Sequence, residues 1–165
     1  MFKNILLAGG RFATGFAMKK VLEAAFDYAL YPAVLIWLGY IKGGIVMSLA
    51  AVALNFFIIR AYDWSKTDWL FIEKLKHIRE DDSVDLPKLL RWTKPLLRKG
   101  DIPAFFVLCL DDPVTATLYL RKGAYLYDGL NNRRDWSIFV AANLVSNLYW
   151  IIGLSAVIEG FRAIL

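Results

Sequence analysis

IPAFFVLCLDDPVTATLYL, residues Ile102 to Leu120, decides how this chain folds. The run is apolar and about long enough to cross a bilayer, yet Asp111, Asp112 and Pro113 stand in its middle. Adjacent acids at membrane depth cost about 3 kcal/mol each or several times more, so they mark a site whose partners come from elsewhere in the chain. Asp112 sits where an N-cap belongs and Pro113 where a first helical residue belongs. The run therefore reads as two half-helices, Ala104 to Leu110 and Val114 to about Tyr125. Each half reaches about 12 Å, less than half of a ~30 Å hydrocarbon core. A loop that re-enters and returns is one solution, and a proline-kinked full span is the other.

Working outward, Val21 to Tyr40 predicts a first span, and Gly44 to Ile59 a second one closed by Arg60, with Ile41-Lys42-Gly43-Gly44 as a tight turn between them. These make a transmembrane hairpin over 21–59. Before it, residues 1–20 carry Lys3, Arg11, Lys19 and Lys20 and no acid, which suits an interfacial segment lying among anionic headgroups. Residues 60–101 are rich in both charges and read as a cytoplasmic amphipathic excursion. Ser65, Thr67 or Asp68 would cap one helix running to about Arg79, and Asp85 with Pro87 would open another that carries Trp92 and Leu96. The broken helix occupies 102–126, and 137–160 holds the last span, from Ser137 to about Ile158.

The fold class is thus all-α: a small polytopic helical membrane protein, a single integral-membrane domain with three or four transmembrane helices. Composition agrees, since 58% hydrophobic residues, a 15% aromatic share and a mean hydropathy of +0.45 lie outside the range of ordinary soluble domains. The net charge of +5 comes from basic residues spread between the apolar segments, which points to membrane topology and away from nucleic acid. If 102–120 turns back, Arg121, Lys122, Arg133 and Arg134 join the basic N-terminus and the 60–101 segment on one side, and the positive-inside rule favours that arrangement. The expected location is a bacterial inner membrane with the N-terminus and basic loops cytoplasmic.

Polar residues at helical spacing supply the remaining candidates. Glu23 and Asp27 share a face of the first span with Tyr31, and Lys19 and Lys20 precede Glu23 closely enough to neutralise it. Gly44, Ser48, Ala51 and Asn55 form one small face, and Asn143, Ser146, Asn147 and Trp150 another. Small faces bring helices close, and their amides hydrogen-bond across the gap. If these faces meet the turn, Asp111, Asp112, Asn143, Asn147 and Asn55 form an ion or proton site, with Glu23 and Asp27 as further carboxylates. A metal there would meet oxygen ligands only, which suits a hard ion. Asp112 is occupied as a cap, so Asp111 is the acid left free.

Three functions fit these residues. The first is ion or proton handling at the Asp pair. The second is an accessory or scaffold role in an inner-membrane complex, docking through Trp69, Trp92 and Leu96. The third is lipid-headgroup chemistry in which Arg121, Lys122, Arg133 and Arg134 contact phosphate. No Gly-rich phosphate loop, nucleophile elbow or zinc motif is present, so a hydrolase or nucleotide-driven enzyme is disfavoured and no cofactor is expected. The expected partners are the anionic bilayer and either further copies of the chain or a membrane-complex subunit. Cys109, the only cysteine, reads as a buried packing thiol.

Overall fold

The computed structural model describes residues 17–77, 94–121 and 127–164, and every regular element among them is a helix. Three are long: α1 (Ala17–Leu38), α2 (Tyr40–Ser65) and α7 (Arg133–Ile164). Four are short: α3 (Ile72–His77), α4 (Lys94–Lys99), α5 (Asp101–Asp111) and α6 (Pro113–Leu120). Helices α1 and α2, and α7 as far as Phe161, are each long and apolar enough to cross a membrane. Large apolar side chains such as Trp37, Ile41, Phe57 and Ile152 point outward, Trp37 with 83% of its surface open. An outward face of this kind suits acyl chains and not water.

The turn between α1 and α2 falls at Gly39, with φ +79°, and not at Gly43-Gly44 as the sequence suggests. Those two glycines lie inside α2 and serve a different need. A Cβ on Gly43 would come within 2.9 Å of the Val34 carbonyl oxygen, and one on Gly44 within 3.0 Å of Ile151 Cδ1. They let α1 and α7 approach α2, while Gly39 alone takes the left-handed conformation that reverses the chain. Nor does Arg60 close α2, which runs on to Ser65 because Tyr62 and Asp63 are buried and Lys66, at φ +49°, supplies the stop. Of the expected caps in the excursion, Asp68 is the one used: its carboxylate accepts from Ile72 N at 2.8 Å and Glu73 N at 3.1 Å, so α3 starts at Ile72. Of the helix expected after Asp85, the part with Trp92 lies outside the described residues, as do 1–16 and Lys122, while Leu96 lies on α4.

Three contacts show which way the broken run goes. Arg134 Nη2 lies 3.7 Å from Asp101 Oδ2, so α5 begins beside the first turn of α7. Ser146 Oγ donates to the Cys109 carbonyl at 2.7 Å. Ser146 stands about 18 Å farther along α7 than Arg134 at 1.5 Å per residue. Arg121, just past α6, then donates to the Gly129 carbonyl at 3.1 Å, back before α7 starts. The chain climbs α5, reverses at Asp112 and descends α6 to the end of the bundle it left. Residues 102–120 form a helical hairpin that returns to the end of the bundle where it began, and not one kinked rod. The descent also ends sooner than expected, at Leu120, because Arg121 leaves helical geometry to make a buried contact.

The core follows this layout. Near the Arg121 end, Ile58, Ile59 and Tyr62 of α2 pack with Trp69, Ile72, Val114, Leu118 and Phe139. Between the hairpin arms and α7, Ala104, Leu108, Ala116, Leu120 and Ala142 pack together. At the far end Tyr31, Leu35 and Met47 join α1 to α2, with Trp150, Ile151 and Leu154 of α7 against them.

Candidate functional site

The hairpin turn is built by Asp112. Its backbone is extended (φ −166°, ψ 128°), and its carboxylate accepts from Val114 N at 3.0 Å, from Thr115 N at 3.0 Å and from Thr115 Oγ1 at 2.8 Å. This is the N-cap that the Asp-Pro pair leads one to expect, satisfying the first free N–H groups of α6. Breaking the run also frees carbonyls at the end of α5. The Leu108 carbonyl accepts from Asp112 N at 2.8 Å, and the Cys109 carbonyl accepts from Ser146. Irregular backbone in a bilayer requires cover of this kind from neighbouring helices.

Asp112 is only 4% exposed, and its negative charge has a partner: Lys19 Nζ, itself 4% exposed, at 2.9 Å. Lys19 also contacts Glu23, and Lys20 reaches Glu23 Oε2 at 3.1 Å. The sequence assigns Lys19 to Glu23 and to the anionic headgroups, whereas it is buried on α1, which already begins at Ala17. The ion pair that ties α1 to the hairpin tip is the contact it misses, and the clue was that a buried capping carboxylate needs a nearby cation.

Beside this pair lies a half-open cavity of about 370 Å³. One wall comes from α1 through Glu23, Asp27, Tyr28 and Tyr31, and the others from Asn55, from Leu110 to Pro113 and from Asn147 and Trp150. Glu23, Asp27 and Tyr31 do share a face here, and Phe26–Leu30 forms a π-helical turn within it. Such turns recur at functional sites. Asp111 is exposed on the cavity wall and Asp27 is partly buried on it. Among the described residues neither carboxylate has an ion-pair partner. The convergence of the four acids on the turn is thus present, divided into a compensated pair, Glu23 and Asp112, and an uncompensated pair, Asp27 and Asp111.

The asparagines turn out to be mostly structural. Asn55 Nδ2 donates to Asn143 Oδ1 at 2.7 Å, Asn143 Nδ2 to the Phe139 carbonyl at 2.8 Å, Asn147 Nδ2 to the Asn143 carbonyl at 2.7 Å, and Tyr31 Oη to Asn147 Oδ1 at 3.1 Å. Asn143, 1% exposed, stands behind the cavity wall, while Asn55 and Asn147 line it. This ladder clamps α1 and α2 to α7.

The basic residues expected at the headgroup layer divide as well. Arg121 is buried, with Nη1 donating to Asp63 Oδ2 at 3.0 Å and Nη2 to Asp63 Oδ1 at 2.9 Å, so its guanidinium faces the interior and not phosphate. Arg133 and Arg134 are exposed near the start of α7. Among the described residues no three His, Cys, Asp or Glu side chains come together closely enough to hold a metal ion. The chain matches no family model, no curated protein and no solved structure among those with which it was compared.

Proposed function

We propose that this integral membrane protein handles a proton or a monovalent cation at the cavity beside the hairpin turn, with Asp27 and Asp111 as the groups that take the charge. The observation that carries this is the division of the acids: Asp112 is spent on its cap and on Lys19, and Lys20 on the same wall is paired with Glu23, whereas Asp27 and Asp111 face open volume with no cation paired to them among the described residues. A carboxylate left bare in a low-dielectric region must take up a proton or a counter-ion. The C-terminal end of α5 adds partial negative charge at the same place, and broken helices of this kind hold ions in many transporters. Asp112 becomes the residue that fixes the turn, and Asn143 one that fixes the bundle.

The competing roles lose residues they need. Trp69, one anchor of the docking surface expected for a scaffold, is packed in the core, and Arg121, one of the phosphate contacts expected for lipid chemistry, is committed to Asp63. A bundle this small needs further copies or a partner to complete a path across the membrane. We place it in a bacterial inner membrane with residues 127–132 and the basic segments cytoplasmic, following the positive-inside rule.

Liposomes containing the full chain test the reading. Proton and potassium flux, followed with a trapped pH dye and an imposed potassium gradient, should fall roughly tenfold or more in Asp27→Asn and in Asp111→Asn, a loss of about 1.4 kcal/mol or more. Lack of flux from the parent chain, or flux in both variants equal to that of the parent, overturns it. In the same vesicles a cysteine replacing Asp128, with Cys109 changed to Ala, reports by one-sided labelling which face the α7 start occupies.

A further inference from the structure

The cavity is larger than a bare inorganic ion needs, and its wall mixes acids with apolar and aromatic side chains. Resting on the site assigned above, we propose that it receives an alkylammonium group, either a free primary amine or the amino end of a lipid headgroup.

Size is the first argument. A water molecule claims about 30 Å³ of liquid, so a cavity of about 370 Å³ would leave a sodium or potassium ion surrounded mostly by water. The acids on the walls also do not close on one point, since no three His, Cys, Asp or Glu side chains among the described residues gather around a common centre. A tight inorganic site requires that kind of closure.

Wall chemistry is the second argument. Rings attract organic cations through their negative faces, and this attraction grows once the cation is desolvated. Phe26 and Tyr31 meet edge to face at 6.1 Å, Tyr28 and Trp150 at 5.7 Å, and all four rings line the cavity. Leu54 and Leu110 offer an apolar path for a carbon stem, while Asp27 and Asp111 supply two negative charges. An ion that is charged at one end and apolar at the other uses both kinds of wall.

The fold already holds one bound alkylammonium of its own. Lys19 is a primary ammonium on a four-carbon stem, and this end of the bundle holds it buried between Asp112 and Glu23. The same acidic wall therefore desolvates and binds one alkylammonium from the chain itself, a turn away from the pair of acids that remains open.

The probe is n-butylammonium chloride, titrated by calorimetry into the purified full chain in detergent, with sodium chloride at equal ionic strength as the comparison. Saturable binding to the parent is expected, with a Kd on the order of 1 mM. It should weaken roughly tenfold in Asp27→Asn or Asp111→Asn and become undetectable in the double variant, while sodium chloride gives no saturable signal. Tyr28→Ala should weaken it as well, which a purely ionic site would not show. A second arm distinguishes the sources: in nanodiscs, phosphatidylethanolamine competing with n-butylammonium where phosphatidylglycerol does not identifies a lipid headgroup, and no competition from either identifies a free amine. The proposal is overturned if the helical, correctly folded parent binds no n-butylammonium, if sodium competes on equal terms, or if the double variant binds like the parent. Flux with no amine binding would sink this inference and leave the proposed function standing. Amine binding with no flux would do the reverse.

Discussion

Two buried acid–base pairs hold the hairpin, one at its tip and one at its foot, and they are built differently. At the foot, Arg121 meets Asp63 with two hydrogen bonds of 3.0 and 2.9 Å, one to each carboxylate oxygen, and gives a third to the Gly129 carbonyl. At the tip, Lys19 meets Asp112 through a single ammonium that it shares with Glu23, and the neighbouring space is a half-open cavity with two further acids on it. A guanidinium in a rigid fork closes a joint. An ammonium on a flexible stem is a point charge without that fixed geometry. We propose that the fold keeps its permanent fastening where the hairpin returns and an exchangeable one beside the site.

The largest effect should follow from breaking the closed joint. Arg121→Ala leaves the Asp63 carboxylate buried without its charge partner, a loss of about 3–5 kcal/mol in comparable soluble cores. Unfolding of the purified chain in detergent should show this as a large drop in Tm or as failure to accumulate. Replacing both partners together, as in Asp63→Leu with Arg121→Met, should recover much of the loss because no uncompensated charge remains. If Arg121→Ala alone is as stable as the parent, the foot of the hairpin is held by packing and the contrast between the two joints collapses.

How far these joints were legible in the sequence depends on the range of the forces that make them. The Asp112-Pro113 restart is local chemistry, a cap and a ring that fixes φ, so it can be read directly and it placed the turn correctly. The partners of that turn are not local. Lys19 lies far from Asp112 in sequence, and Glu23 one helical turn away gave it a plausible neighbour, so the longer contact stayed hidden. Arg121, next to Lys122 at the end of an apolar run, looks like an interfacial cation until Asp63 is seen beside it. Gly43-Gly44 misled for a related reason: glycine serves both chain reversal and close approach, and only packing distinguishes the two.

A smaller effect tests the tip. Lys19→Ala removes the charge partner of Asp112 but leaves the three hydrogen bonds that its carboxylate accepts at the start of α6. Water and cations can also reach the site through the cavity beside it. The expected loss of stability is about 1–2 kcal/mol, below that of Arg121→Ala, since a solvated ion partly replaces the missing ammonium. The difference in construction then makes a sharper prediction. Millimolar n-butylammonium should raise the Tm of Lys19→Ala back toward the parent value, because it carries the stem and charge that were removed, whereas guanidinium at the same concentration should do nothing for Arg121→Ala. Equal rescue of both variants would mean that the foot is as accessible as the tip. Rescue of neither would mean that the tip is as closed as the foot.

The weakest joint to probe is the amide ladder behind the cavity, and its value lies in what it should leave unchanged. Asn55→Ala deletes the donor to Asn143 Oδ1, and side-chain hydrogen bonds between membrane helices average only about 0.6 kcal/mol. The Asn143 amide keeps its bond to the Phe139 carbonyl, so the variant should fold with a Tm lowered by only a degree or two, on the order of what half a kcal/mol produces in a chain of this size. Asn55 lines the cavity but carries no charge. If charge is what the site uses, flux in liposomes should stay within about twofold of the parent, since less than half a kcal/mol is at stake there. A tenfold loss of flux from Asn55→Ala with normal stability would move the working groups from Asp27 and Asp111 to the ladder. The asparagines, which here brace the bundle, would then be the residues that touch the ion.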